Sequence, residues 1–375
     1  MWKRILVFLL LLEWAQPLTL SRRQALAQTV AATTSALVTS SASATTTPLI
    51  PPSSPLVTLS NGITIPRVGY SLYKTPAEQA GRGVQLALAA GVRHFDVAAQ
   101  YGTNAQVGTV LRNYLQRGAA ALNATRDELL VSISRSATKR HQELVVTHKV
   151  SNAQQALSAT ALRQELQQQA EILGKPIDLV MLHSPLSQNR LGAYATLCDY
   201  QARGGAKAVG VCHFSVAHLN ELIRHSLPAP HVIQLELSPF NQHADVCAWA
   251  TEHGSTVSCA AWSKLSGTTG PAAGWAQVAA VTQARGVTKQ QVLIVWALQC
   301  GYLCVPRSSA QYKVERTAIR ENAWTSVSDL MLTPAEMDLL NSLDEQYPAG
   351  KLGVTDGWEV SDIVDDKWDP TLLTT

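Results

Sequence analysis

From residue 56 onward the chain alternates short, β-rich apolar runs with longer stretches whose apolar residues recur at helical spacing. The apolar runs fall near 70–73, 92–95, 143–148, 178–182, 207–211, 231–236, 256–260 and 302–305, and each is predicted to be a strand. Between them the spacing predicts helices over 76–90, 103–116, 152–173, 188–203, 216–225, 243–253 and 288–299. A last helix opens at Thr333-Pro334-Ala335-Glu336, a capping box with Pro at its first helical position. Leu56 to Ile65 alternates around Asn61-Gly62, a strong hairpin signal, and is placed as a β-hairpin plug beneath the first strand. Strand–helix repetition predicts a parallel sheet. Eight repeats predict a closed (β/α)8 or TIM barrel of the α/β class, a single domain over 56–348.

The informative residues are polar ones at the ends of apolar strands, because a charge there is costly unless a partner meets it. Gly91-Val92-Arg93-His94-Phe95 runs into Asp96, with Tyr101 five residues on. The run from Glu143 to His148 ends on Lys149, and the run from Ile177 to Leu182 ends on His183. If these are neighbouring parallel strands, Asp96, Lys149 and His183 emerge together at the C-terminal rim, where barrel enzymes carry their chemistry, and Tyr101 overhangs the mouth. Two similar segments compete for the third strand, Arg126 to Ser132 and Arg140 to Thr147. Only the second ends on lysine; the first would put Ser134 in its place and break the constellation. The first copy, within 119–142, is read as an insertion.

On these residues the chain resembles the aldo-keto reductase family. The resemblance rests on Gly91-Val92-Arg93-His94-Phe95-Asp96, Ala98, Tyr101, Gln106 and Gly108, and covers roughly residues 56 to 345. It implies a catalytic tetrad of Asp96, Tyr101, Lys149 and His183 and a nicotinamide cofactor, NADP(H) rather than NAD(H). It also implies a cofactor cradle. Gln234, Cys212 and His213 would hold the carboxamide, and Trp262 would stack on the nicotinamide. Ser263 and Leu265 would meet the pyrophosphate, Arg307 and Ser308 the 2′-phosphate, and Glu321 and Asn322 the adenine side. Three departures stand out. Cys212-His213 replaces the family's Ser-Asn, Trp262 replaces a tyrosine, and Ser184 replaces the aromatic residue after the catalytic histidine and would open the substrate pocket beside Tyr73.

Reducing a carbonyl by hydride transfer needs a proton donor at the developing alkoxide. A phenol of ordinary pKa, about 10, becomes a usable acid and base when an ammonium favours its phenolate. Lys149 would supply that ammonium, Asp96 would compensate it, and His183 would orient the carbonyl. The expected function is NADPH-dependent reduction of a small-molecule aldehyde or ketone. Two alternatives stay open. One is a slow NADPH-binding regulatory protein, suggested by Cys212-His213 and the insertion. The other is a sugar- or diketo-acid-specific reductase, suggested by the short span from His183 to Cys212.

Charge and composition narrow the partners. The net charge is +3, and Lys3, Arg4, Arg22 and Arg23 against Glu13 account for it, so the remainder is formally neutral. No basic run interleaved with aromatics appears, and nucleic-acid binding is not expected. No G-x-G-x-x-G follows a strand, which leaves a Rossmann domain without support. The six cysteines contain no C-x2-C pair and are read as buried small hydrophobes, with no metal site expected.

Residues 1–50 read as a targeting leader. Lys3 and Arg4 precede the apolar stretch Ile5 to Leu12, then Arg22-Arg23 resembles a twin-arginine signal ending in Ser41-Ala42-Ser43-Ala44. This predicts an organellar or secretory route, with a plastid and its thylakoid lumen among the destinations, and no stable membrane association once the leader is removed. The alternative is a single cleaved signal or an uncleaved anchor. Residues 51–55 read as linker, and 349–375, with Trp358 and Trp368, as a tail over the barrel mouth. The sequence is silent on oligomeric state.

Overall fold

The computed structural model describes residues 55–118, 144–260, 272–308 and 313–346. The expected leader, insertion and tail lie outside these residues, as do the first copy of the duplicated segment and all of the expected linker but Pro55. No helix among the described residues is long and apolar enough to cross a membrane.

The hairpin expected around Asn61-Gly62 forms from β1 (Leu56–Thr58) and β2 (Thr64–Pro66), with Val57 opposite Ile65. Gly62 sits at φ +83°, the left-handed region that this turn needs and that glycine enters without a side-chain clash. Eight strands then make one sheet: β3 (Tyr70–Ser71), β4 (His94–Ala98), β5 (Val145–Val150), β6 (Ile177–Leu182), β7 (Ala206–Cys212), β8 (Val232–Leu235), β9 (Thr256–Cys259) and β10 (Leu303–Cys304). All neighbours are parallel and in chain order. Val68 bridges Cys304 in the parallel sense, and the Ser71 N–H donates to the Pro306 carbonyl at 3.0 Å, joining the first strand to the last and closing the barrel.

The helices are α1 (Ala77–Ala89), α2 (Asn104–Arg117), α3 (Asn152–Gln155), α4 (Ala159–Leu173), α5 (Arg190–Ala202), α6 (Val216–Arg224), α7 (Ala244–Glu252), α8 (Ala272–Arg285), α9 (Lys289–Gln299), α10 (Lys313–Glu321), α11 (Trp324–Val327) and α12 (Pro334–Gln346). Their starts are chemically marked. Ser151, Ser215 and Thr288 each close a capping box with the residue three positions on, and Thr333 does so with Glu336. The single helix expected over 152–173 is two, because Ser158 caps a second start by accepting the Ala161 N–H. Three helices were not anticipated, α8, α10 and the single-turn α11. In α8 the buried residues Trp275, Val278 and Val281 fall on one face of an otherwise Ala-rich stretch, and α10 has five charged residues in its nine around the buried Ile319.

Two apolar layers follow from the period-2 parity of the strands. Val145, Leu179, Met181, Ala208, Val232 and Leu303 point inward and meet Leu59 and Ile65 of the hairpin, which fills the barrel floor as expected. Val146, Val180, Val209 and Ile233 point outward into the larger core beneath the helices. At the C-terminal rim the inward parity falls on Ser71, Asp96, Lys149, Cys212 and Gln234, all buried.

Gly108 explains its place in the signature. A Cβ there would lie 1.9 Å from the Ile172 carbonyl oxygen, so α2 and α4 can approach only over a glycine. Gly108→Ala should cost about 2 kcal/mol of stability by forcing the helices apart, read as a lowered urea midpoint with an unchanged slope.

Candidate active site

Three neighbouring strands deliver the central constellation. β4 and β5 pair Asp96 with Thr147 and Ala98 with Lys149, and β5 and β6 pair Lys149 with Met181, one residue short of the rim. This register settles the competition for the third strand: the segment ending on Lys149 is the one hydrogen-bonded between β4 and β6. Tyr101 ends a single 3-10 turn, Ala99–Tyr101, closed by Gly102 at φ +67°. That tight reversal carries the phenol back over the strand ends.

The four side chains touch in sequence. The Lys149 ammonium is ion-paired to Asp96 Oδ1, and Lys149 Nζ lies 3.2 Å from Tyr101 Oη. Tyr101 Oη is in turn 3.3 Å from His183 Nε2. The ion pair is buried on both sides. Two further groups hold the carboxylate. Ser71 Oγ donates to Asp96 Oδ1 at 3.3 Å and Gln234 Nε2 donates to Asp96 Oδ2 at 3.0 Å. Ser71 was not anticipated from the sequence. Its role arises from the β3–β4 register, which sets it opposite Asp96.

Burial governs the protonation states. It opposes the Lys149 charge, but the fields of Asp96, Tyr101 and Cys212 prevail and hold the ammonium above its ordinary pKa. For Tyr101 burial is the largest influence and drives the phenol well above its ordinary value, against the pull of Lys149. The sequence-based expectation had weighed only the ammonium. In the closed barrel, desolvation of the phenolate outweighs it, so Tyr101 is protonated at neutral pH. Burial also pushes His183 well below its ordinary value, helped by Lys149, His213 and His148, so its imidazole is neutral. The buried Cys212 thiol is pushed up to about 12 and stays protonated.

The remaining expected site residues are distributed as follows. Tyr73 is buried, its ring centroid 5.5 Å from that of Tyr101 at a tilt of 59°. Ser184 is fully buried; its Oγ donates to Asn152 Oδ1 at the start of α3 at 2.7 Å and accepts the Leu186 N–H at 3.3 Å. Cys212 Sγ faces Gln234 Oε1 at 3.8 Å, the one contact recorded for that acceptor among the described residues. His213 adopts φ +61°, and its N–H donates to the Gln234 carbonyl at 2.9 Å. Arg307 folds back across the barrel seam, its Nε and an Nη donating to the Tyr73 and Lys74 carbonyls at 3.0 and 2.5 Å. The Ser308 carbonyl accepts from Tyr70 Oη at 2.5 Å. Glu321 ends α10 and Asn322 follows it, and Asn322 Oδ1 is buried without a hydrogen-bond partner. No hydrogen bond among the described residues joins Glu321 or Asn322 to the tetrad. Trp262, Ser263 and Leu265 lie outside the described residues. All six cysteines are reduced, Cys212, Cys259 and Cys304 buried and the others part-exposed.

Two acceptors fit a bound nicotinamide dinucleotide. Gln234 Oε1 lacks a strong donor and suits a primary amide, and the orphaned Asn322 Oδ1 suits an exocyclic amine.

Comparison with known proteins agrees with this geometry. Residues 67–318 match the model of the Aldo/keto reductase family. An aldo-keto reductase of Mycobacterium sp. strain JLS is 29% identical over 303 residues, covering 80% of this chain and 96% of that one. The methylglyoxal reductase DkgA of Yersinia pestis is 29% identical over 293 residues, covering 77% and 94%. Among solved structures, the Bombyx mori aldo-keto reductase in complex with NADP superposes with a TM-score of 0.63 at 22% identity, covering 77% of this chain and 92% of that one. A family model spanning well over half the chain, on a closed barrel with this rim, establishes that the chain belongs to the aldo/keto reductase family.

Proposed function

We propose that this protein is an NADP(H)-dependent reductase of small aldehydes or ketones, with Tyr101 as proton donor. The observation that carries the reading is the contact of Tyr101 Oη with both Lys149 Nζ at 3.2 Å and His183 Nε2 at 3.3 Å. The cofactor, when bound, supplies the hydride; the chain supplies the proton and the positioning. The Asp96–Lys149 pair keeps a positive charge against the phenol, so that the phenolate left after proton donation is stabilised inside a closed, low-dielectric site. Ser71 and Gln234 pin the carboxylate. Neutral His183, in contact with Tyr101 Oη, can donate to the carbonyl oxygen and orient it toward Tyr101.

Cofactor contacts are assigned by family position and by the free acceptors. Gln234, with Cys212 and His213, would hold the carboxamide, and Trp262 the nicotinamide face. Ser263 and Leu265 would meet the pyrophosphate, Arg307 and Ser308 the 2′-phosphate, and Glu321 and Asn322 the adenine side. The Arg307 fork keeps donors beyond the two spent on the Tyr73 and Lys74 carbonyls, and guanidinium suits phosphate bidentately. The methylglyoxal reductase relative makes small α-oxoaldehydes the first substrates to try. Tyr73 beside Tyr101 offers an aromatic wall to such a compact substrate. The leader supports delivery to an organelle or the secretory route.

Fluorescence titration with NADPH and NADH, followed by NADPH oxidation against an aldehyde panel including methylglyoxal, tests this reading. The expected result is tighter binding of NADPH and substrate-dependent oxidation. Tight NADPH binding with no oxidation by any carbonyl would instead support the slow, regulatory alternative.

A further inference from the structure

Gln234 joins the cofactor cradle to the tetrad by a direct hydrogen bond. Its carboxamide reaches across the barrel interior from β8 to β4, over 138 residues of sequence, to donate to Asp96 Oδ2 at 3.0 Å. The same carboxylate holds the Lys149 ammonium and Ser71 Oγ on its other oxygen. That bond fixes the orientation of the Gln234 amide. Its nitrogen is committed to Asp96, and among the described residues its oxygen faces only the weak thiol donor Cys212 at 3.8 Å.

We infer that Gln234 is a positioning residue that couples cofactor occupancy to the proton donor, by accepting a hydrogen bond from the nicotinamide amide on Oε1 while donating to Asp96 through Nε2. The inference rests on the NADP(H) reading above. Hydrogen bonds in a chain polarise one another. An N–H received on Oε1 makes Nε2 a stronger donor, and Asp96, held more firmly on Oδ2, draws less on Lys149. More of the ammonium field then falls on Tyr101. The charged or titratable groups recorded against Tyr101 among the described residues all belong to this rim: Lys149, Asp96 and Cys212 through their fields, His183 by direct contact, and Tyr73 ring to ring, with His213 acting on His183. Coupling is reciprocal. If amide binding favours the phenolate, ionisation of the phenol must favour amide binding. The altered Cys212-His213 pair sharpens this dependence, since a thiol in place of a hydroxyl leaves Gln234 Oε1 less satisfied until the amide arrives.

The test is the preference for the amide, the ratio of the Kd of an amide-free analogue to that of NADPH, measured by protein fluorescence at pH 7. NADPH carries the amide N–H. Its 3-acetylpyridine analogue has a methyl group there, and neither reduced ring is charged. Asp96→Asn removes the charge that polarises Nε2 and should lower the preference about fivefold from the wild-type value, in keeping with ordinary coupling strengths. Gln234→Met should abolish it. A wild-type preference retained in Asp96→Asn overturns the inference while leaving the reductase reading intact, as does a preference that survives Gln234→Met. Failure of the wild-type chain to bind either cofactor overturns both.

Discussion

Tyr101→Phe should lower kcat for carbonyl reduction by about 10^3-fold while leaving the Kd for NADPH within about threefold, because the lost group is one that acts in the transition state. Among the described residues the phenol is the only hydroxyl in contact with both Lys149 and His183, at 3.2 and 3.3 Å. Removing it leaves neutral His183 as the nearest proton source, and an imidazole held well below its ordinary pKa carries no proton to spare. Phenylalanine preserves the ring packing against Tyr73, so a loss confined to kcat separates proton donation from folding. Steady-state kinetics at saturating NADPH decide it. A variant retaining a tenth or more of wild-type turnover would move the proton donor elsewhere.

The second large effect is on stability in acid. His148 sits on the outward face of β5, fully buried, and neither ring nitrogen has a hydrogen-bond partner. Burial, assisted by the neighbouring Lys149, pushes its pKa down to about 4. The unfolded chain therefore takes up a proton near pH 6.5 that the folded chain refuses until about pH 4. Unfolding binds protons across this window, so stability falls as pH drops through it, by about 3 kcal/mol for this residue alone. His94 and His183 are lowered as well and act with the same sign. His148→Leu, which forfeits no hydrogen bond, should match or exceed wild-type stability at pH 7 and lose about 3 kcal/mol less between pH 7 and pH 4. Urea unfolding at the two pH values measures this. An acid dependence identical to wild type would assign the destabilisation to other groups.

The two effects share one strand. Lys149 points into the barrel and His148 away from it, so a single alternation gives β5 its function on one face and an acid-sensitive site on the other. The lysine tolerates burial because Asp96 meets it; the histidine meets nothing and stays neutral.

Much of this molecule was legible in one dimension. Apolar runs of strand length, the hairpin signal at Asn61-Gly62 and the capping box at Thr333 act over a few residues, so the element order, the plug and the barrel class followed from local pattern. The tetrad was legible too, because parallel strands in chain order make polar strand ends into neighbours. Ser71 and the second bond of Gln234 were not, since both depend on register and on distances across the barrel interior that no local spacing encodes. Nor was the bond of Ser184, which the missing aromatic had marked for the substrate pocket: its buried hydroxyl donates to Asn152 at the start of α3.

The amino-acid order by itself determined which groups could take part: an acid, a phenol, an ammonium and an imidazole, each at the end of a predicted strand or just beyond it. Only the closed barrel decided their states. Desolvation depends on everything packed around a group, and it left Tyr101 protonated and His183 neutral where pairwise charges alone had pointed to an easily ionised phenol.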